Sequence, residues 1–95
     1  MNIQDLLRQC VERRASDLHL SSGVPAMMRI DGDLAQVSAQ VLSHEEIHQA
    51  VLGLMNPIQQ EHFQQTMECD FSFEIPNVSR FRVNAFHQSR GVSVA

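Results

Sequence analysis

The chain reads as an α+β domain, an antiparallel sheet with helices packed to one side. Three observations lead there. Apolar residues recur at helical spacing in three segments and alternate with period two in others. Two turn signals, Asp31-Gly32 and Pro76-Asn77, each fold one alternating segment back on the next. The resulting order is helix, strand, hairpin, two helices, hairpin, final strand. With 95 residues, 43 % of them hydrophobic and 19 % charged, there is room for one core and no internal domain boundary. A domain of this size buries roughly 60 to 70 % of the surface its unfolded chain exposes, enough to fold without staples.

The first helix is expected from about Ile3 to Arg14. Ile3, Leu6, Leu7, Cys10 and Val11 share one face, Asn2 is the N-cap with Asp5 three residues on, and Arg13 and Arg14 suit the negative end of the helix dipole. Ser16 to Ser21 alternates next, with Leu18 and Leu20 inward and Asp17 beside His19 on the other face. An Asp-x-His pair can orient a histidine for acid-base work, yet no nucleophile or metal partner accompanies it. Gly23 and Pro25 mark a loop. Met27 to Ile30 and Leu34 to Val37 then flank Asp31-Gly32, whose residues both tolerate positive φ and so predict a tight hairpin. Met27 and Met28 read as gap-filling core and edge residues.

Leu42-Ser43-His44-Glu45-Glu46-Ile47 holds a capping box, Ser43 with Glu46, and a hydrophobic staple, Leu42 with Ile47. The helix it starts buries Ile47, Ala50, Val51 and Leu54. It stops before Asn56-Pro57, which serve as N-cap and first residue of another helix reaching about Met67. Gln59, Gln60, Gln64 and Gln65 are expected on its solvated face.

In the last hairpin, Cys69, Phe71, Phe73 and Ile75 alternate with Glu68, Asp70, Ser72 and Glu74. A two-residue loop would set Phe73 opposite Arg80, whereas a three-residue loop, Pro76 to Val78, sets it opposite Phe81 and keeps both faces consistent. The second register predicts Glu74 opposite Arg80 and Ser72 opposite Arg82. Arg80 then has a carboxylate partner, and Arg82 faces a hydroxyl with charge to spare. Residues two apart on a strand lie about 7 Å from one another on the same side, so Arg80 and Arg82 can serve one multivalent anion. Ser79 to Gly91 as a whole carries Arg80, Arg82 and Arg90 and no acid, the one local positive patch in the chain. Val92 to Ala95 reads as one more alternating strand, which stops as though the chain had been cut short.

Net charge −4 and a pI near 5.6 argue against a general binder of nucleic acid or anionic membrane, so an anion site has to be local. The absence of Trp and Tyr removes the usual stacking platforms for single-stranded nucleic acid. There is no run of ~20 apolar residues and no signal peptide, and the chain reads as cytosolic. Cys10 and Cys69 fall on apolar faces and read as buried thiols. His44 and His48 have helical metal-ligand spacing but lack a third ligand.

The stretches ASDLHLSSGVPAMMRIDGDL and FSFEIPNVSRFRVNAFHQSRG resemble the N-terminal domain of the twitching-motility retraction ATPases, the PilT family, within the secretion ATPase superfamily. The resemblance covers essentially the whole chain. It implies a PAS-like domain that precedes a RecA-like domain carrying the Walker motifs. It also implies a cytoplasmic hexameric ring at the pilus base, peripheral to the inner membrane through the pilus machinery. The implied partners are the RecA-like domain, neighbouring subunits of the homohexamer and the inner-membrane platform complex, with no nucleic acid. The implied cofactors are ATP and Mg in the full-length protein and none for this domain alone. By match to the family's RFRVN and QxRG blocks, the residues that would reach the nucleotide phosphates are Arg82 and Arg90, with Arg80 a third candidate.

Two other classes stand beside this reading. A small-ligand sensor is suggested by the PAS-like fold and would need a polar group in a pocket, for which Cys69, His19 and His87 are the candidates. A non-catalytic protein-interaction module is the other. The chain has no lysine at all, so no G-x-x-x-x-G-K-[ST] loop exists in it. The purified 95-residue chain is therefore expected to show no ATP turnover above a protein-free blank in a phosphate-release assay, and sustained turnover that co-purifies with it would overturn this.

Overall fold

A computed structural model describes residues 1–88 and 91–94. Helix α1 (Ile3–Glu12) opens the chain, and the Asn2 side chain accepts from the Asp5 N–H at 3.1 Å, as the sequence expects. Its end comes two residues earlier than expected for a definite reason. Arg14 turns to φ 55°, the Arg14 N–H donates to the Val11 carbonyl, and the Ala15 N–H donates to the Cys10 carbonyl at 2.8 Å. That is the paired closure of a Schellman motif, built here on an arginine where glycine is usual.

Strands β1 (Asp17–His19), β2 (Pro25–Ile30) and β3 (Asp33–Val41) form an antiparallel sheet in that order. Asp31 and Gly32 sit at φ 51° and 86° between Ile30 and its partner Asp33, the two-residue turn read from the sequence. Helices α2 (His44–Leu52) and α3 (Pro57–Thr66) follow, each starting on a reciprocal capping box: Ser43 with Glu46, and Asn56 with Gln59. Gln60 departs from the expected solvated face. Its side-chain amide donates to the Leu52 carbonyl at 2.9 Å and to the Met55 carbonyl at 3.3 Å, tying the end of α2 to the start of α3.

Strands β4 (Glu68–Ile75), β5 (Ser79–Gln88) and β6 (Gly91–Val94) form a second antiparallel sheet in that order. The α+β class with antiparallel pairing is as the sequence predicts, while the hydrogen bonds divide the strands into two three-stranded sheets. The core draws on every helix and both sheets: Leu7, Leu20, Met28, Ile47, Val51, Phe63, Phe71 and Val83 are all buried. Each fully buried side chain of this kind contributes roughly 1.5 to 3 kcal/mol from water exclusion. Cys10 and Cys69 are buried free thiols within that core, and burial pushes both pKa values up.

Met67 caps α3 in the left-handed region, φ 64°, with its N–H on the Phe63 carbonyl and its side chain half exposed. A side chain in that conformation costs roughly 1 kcal/mol that glycine does not. Met67→Gly is accordingly expected to stabilise the domain by about that amount, read as a higher midpoint of urea denaturation at unchanged slope. A lowered midpoint would show that the methionine side chain contributes more than the strain removes.

Candidate functional site

The site is the polar face of the β4–β5 hairpin. Pro76 and Asn77 occupy the centre of the turn, Asn77 at φ 64°, and the Val78 N–H closes it on the Ile75 carbonyl at 3.0 Å. Proline second and a positive φ third is the arrangement a type II turn requires. Pairing then runs Phe73 with Phe81, Phe71 with Val83, Glu74 with Arg80 and Ser72 with Arg82, the three-residue-loop register. Cys69, Phe71, Ile75, Val83 and Ala85 go into the core. Glu68, Asp70, Ser72, Arg80, Arg82 and Asn84 are left on the outer face, because successive side chains of a strand point to opposite sides.

Arg80 lies 3.9 Å from Glu74, Nη2 to Oε2, the cross-strand pair that the register implies, with both side chains well exposed. Arg82 is different from expectation. It stands opposite Ser72, yet its guanidinium reaches diagonally to Asp70 and takes both carboxylate oxygens, Nε to Oδ1 at 3.2 Å and Nη2 to Oδ2 at 2.7 Å. The physical reason is reach. An arginine side chain spans the 7–8 Å diagonal between strands, and a two-pronged carboxylate matches its planar fork better than a hydroxyl does. Asp70 was the residue missed by considering only the partner directly opposite; the signal that finds it is an acid two residues from that partner on the same face.

The pairing shows in the titration of both groups. The hydrogen bonds from Arg82 hold the Asp70 carboxyl below the usual carboxylate range against the opposing effect of desolvation, with the charge of Arg82 adding a lesser contribution. The same bonds raise the Arg82 guanidinium. Arg90, expected to join these two, lies outside the described residues.

Beside the arginine strand is a cavity of about 460 Å³ between α1, the entry to β1 and the first half of β5. The residues proposed for a sensor pocket do not line it: Cys69 is in the core and His19 is half-buried elsewhere, its Nε2 without a hydrogen-bond partner among the described residues. The side chain of His87 is outside the described set. Asp17 does not orient His19; it accepts from the Ser16 hydroxyl at 2.8 Å and faces Arg29 at 3.8 Å. His44 and His48 stack at 5.9 Å and His48 continues onto Phe63, so their helical spacing serves ring packing. Among the described residues no helix is long and apolar enough to cross a membrane, and no group of three metal-ligating side chains gathers.

No protein-family model matches the chain. It is 47 % identical over 91 residues to the type IV pilus retraction ATPase PilT of Pseudomonas aeruginosa, across 96 % of this chain and 26 % of that protein. A twitching motility protein of Neisseria gonorrhoeae is 41 % identical over 91 residues, across 95 % of this chain and 24 % of its own length. Among solved structures, that of the pilus retraction motor PilT with bound ADP superposes with a TM-score of 0.88 at 27 % identity, covering 99 % of this chain and 28 % of that one. The chain is homologous, over nearly its whole length, to the N-terminal region of these PilT proteins. It spans about a quarter of the length of the curated relatives it matches. The likeness to the PilT motor extends through the whole fold, both hairpins and all three helices included, so the arginine face rests on a scaffold shared with that protein.

The ion pair makes a prediction in this PilT-type domain. Because the folded pKa of Asp70 is depressed, its pairing adds stability above the ordinary carboxylate pKa, and that stability is lost as pH falls through the depressed folded value. Arg82→Ala is expected to return the Asp70 carboxyl to the ordinary range in a ¹³C titration. The stability gap between variant and parent should close on the acid side of that window. An Asp70 titration unmoved by Arg82→Ala would show that the fork is not populated in solution.

Proposed function

We propose that this chain is the N-terminal domain of a cytoplasmic hexameric ATPase that drives type IV pilus retraction, and that Arg82, with Arg90 and Arg80, supplies positive charge to the nucleotide phosphates at a boundary between domains of the ring. The observation that carries the second half is the fork on Arg82. An exposed guanidinium on a paired strand already grips two anionic oxygens at hydrogen-bond distance, and phosphate offers the same pair of oxygens with more charge. The RecA-like domain that the family resemblance implies would hold ATP with its magnesium. This domain would add cations that neutralise charge on the terminal phosphate and would move against that domain as the nucleotide changes state. Neighbouring subunits and the inner-membrane platform of the pilus are the partners of this reading.

An ion pair this exposed is screened by water and salt, and such pairs contribute little to stability. Giving up Asp70 for a phosphate therefore costs the fold little. Arginines that stabilise a transferring phosphoryl group contribute about 10³ to 10⁵ in turnover in other NTPases. Arg82→Ala in the full-length enzyme is expected to lower kcat by at least roughly tenfold while the melting temperature of the isolated domain moves by no more than about 2 °C. The reverse pattern, a destabilised domain with wild-type turnover measured well below the melting point, would make Arg82 a sheet residue and remove the nucleotide role.

A further inference from the structure

The outer face of the hairpin supplies its own anions. Glu68, Asp70 and Glu74 project from β4 on the side where Arg80 and Arg82 project from β5, and the two arginines are held there differently. Arg80 meets Glu74 directly opposite at a single 3.9 Å approach, Nη2 to Oε2. Arg82 passes over Ser72 and gives both Nε and Nη2 to Asp70, while its Nη1 makes no hydrogen bond among the described residues.

The occupied side of Arg82 is one that an oxyanion needs. Nε and Nη2 present two parallel N–H groups, and carboxylate and phosphate both match them with two oxygens. A phosphoryl group arriving at the Nη1 end instead would bring its charge beside the Asp70 carboxylate on the same small cation, a like-charge contact. Taking the place of Asp70 removes that contact. The fold has no other hold on this acid: the side chains of Arg82 and Asp70 are 79 % and 49 % exposed, and the Asp70 carboxylate accepts from no other group among the described residues.

We propose that Asp70 is a built-in competitor for the anion site, occupying the Nε and Nη2 side of Arg82 until a terminal phosphoryl group, with three oxygens and more charge than a carboxylate, displaces it. The identity of that group rests on the nucleotide reading of Arg82 given above. Asp70 then sets how strong an anion must be to engage, since a free carboxylate or phosphodiester gains nothing over the acid already tethered beside the guanidinium. The filter is light. Exposed pairs of good geometry favour the closed form about fivefold at most, which a phosphate delivered by a neighbouring domain can overcome.

The test follows the Arg82 Nε–H resonance of the 95-residue chain while inorganic phosphate is added at constant ionic strength. Asp70→Asn and Asp70→Ala are each expected to steepen the response about fivefold, and acetate in place of phosphate to leave the parent unmoved. Glu74→Gln removes an acid of the same face that does not hold Arg82, and is expected to leave the response as it is. In the full-length enzyme, Asp70→Asn is expected to raise kcat/KM for ATP about fivefold, most of it in KM, a split that a purely structural residue would not give. An unchanged phosphate response in the Asp70 variants would overturn the proposal, and so would a weaker one, by showing that Asp70 holds Arg82 in place for the phosphate. An equal rise with Glu74→Gln would reduce the effect to net charge and overturn it too. A full-length enzyme indifferent to both Asp70→Asn and Arg82→Ala, with the steeper response intact in the domain, would instead remove the nucleotide as occupant, so failure of the nucleotide reading and failure of the competitor are told apart.

Discussion

Asn77 at φ 64° lets the Val78 N–H reach the Ile75 carbonyl, and this one turn sets the pairing of β4 with β5 along its whole length. Because side chains alternate with period two, a slip of β5 by one residue against β4 would expose Val83 and Ala85 and bury Arg80 and Arg82. Buried without partners, such charges cost several kcal/mol each, so the slipped hairpin is not a competitor. The asparagine conformation thus decides which residues can act on anything outside the domain. Proline ahead of it fixes the first half of the turn, and asparagine tolerates the left-handed half better than most residues.

What the sequence disclosed is what is settled within a few residues of chain. The capping boxes of α2 and α3, the Asp31-Gly32 turn and the face of β4 depend on spacings of two to four residues, and each is where the periodicity puts it. Features that depend on where a long side chain comes to rest were less legible. Arg82 has Ser72 directly opposite, and only the length and planarity of its guanidinium favour the diagonal Asp70. Gln60 looked solvated on its own helix, and it is the preceding helix that supplies the carbonyls it binds. Arg14 and Met67 adopt left-handed conformations at the ends of α1 and α3 without the glycine that usually announces them.

The electrostatics of the outer face follow from the same geometry. In a chain of net charge −4, Arg80 and Arg82 are each held beside an acid of the neighbouring strand, so the hairpin carries little net field at long range. Such a face does not attract polyanions indiscriminately. In the proposed role it would exchange one acid for a stronger anion brought to contact by a partner domain, at little cost because Asp70 and Arg82 are both open to water and neither depends on the pair for burial. Selectivity of this kind comes from proximity in an assembly, with affinity in free solution kept low.

Arg80 and Arg82 alternate along β5 with the partly buried Phe81 and the buried Val83, and this links strand pairing to charge placement. Val83 is anchored in the core, and the backbone of Ser79 to Val83 is paired with β4 from Phe71 to Ile75. The value of a guanidinium to a phosphate falls steeply when its position is uncertain by more than about 0.5 Å, since alignment of the two-pronged contact is then lost.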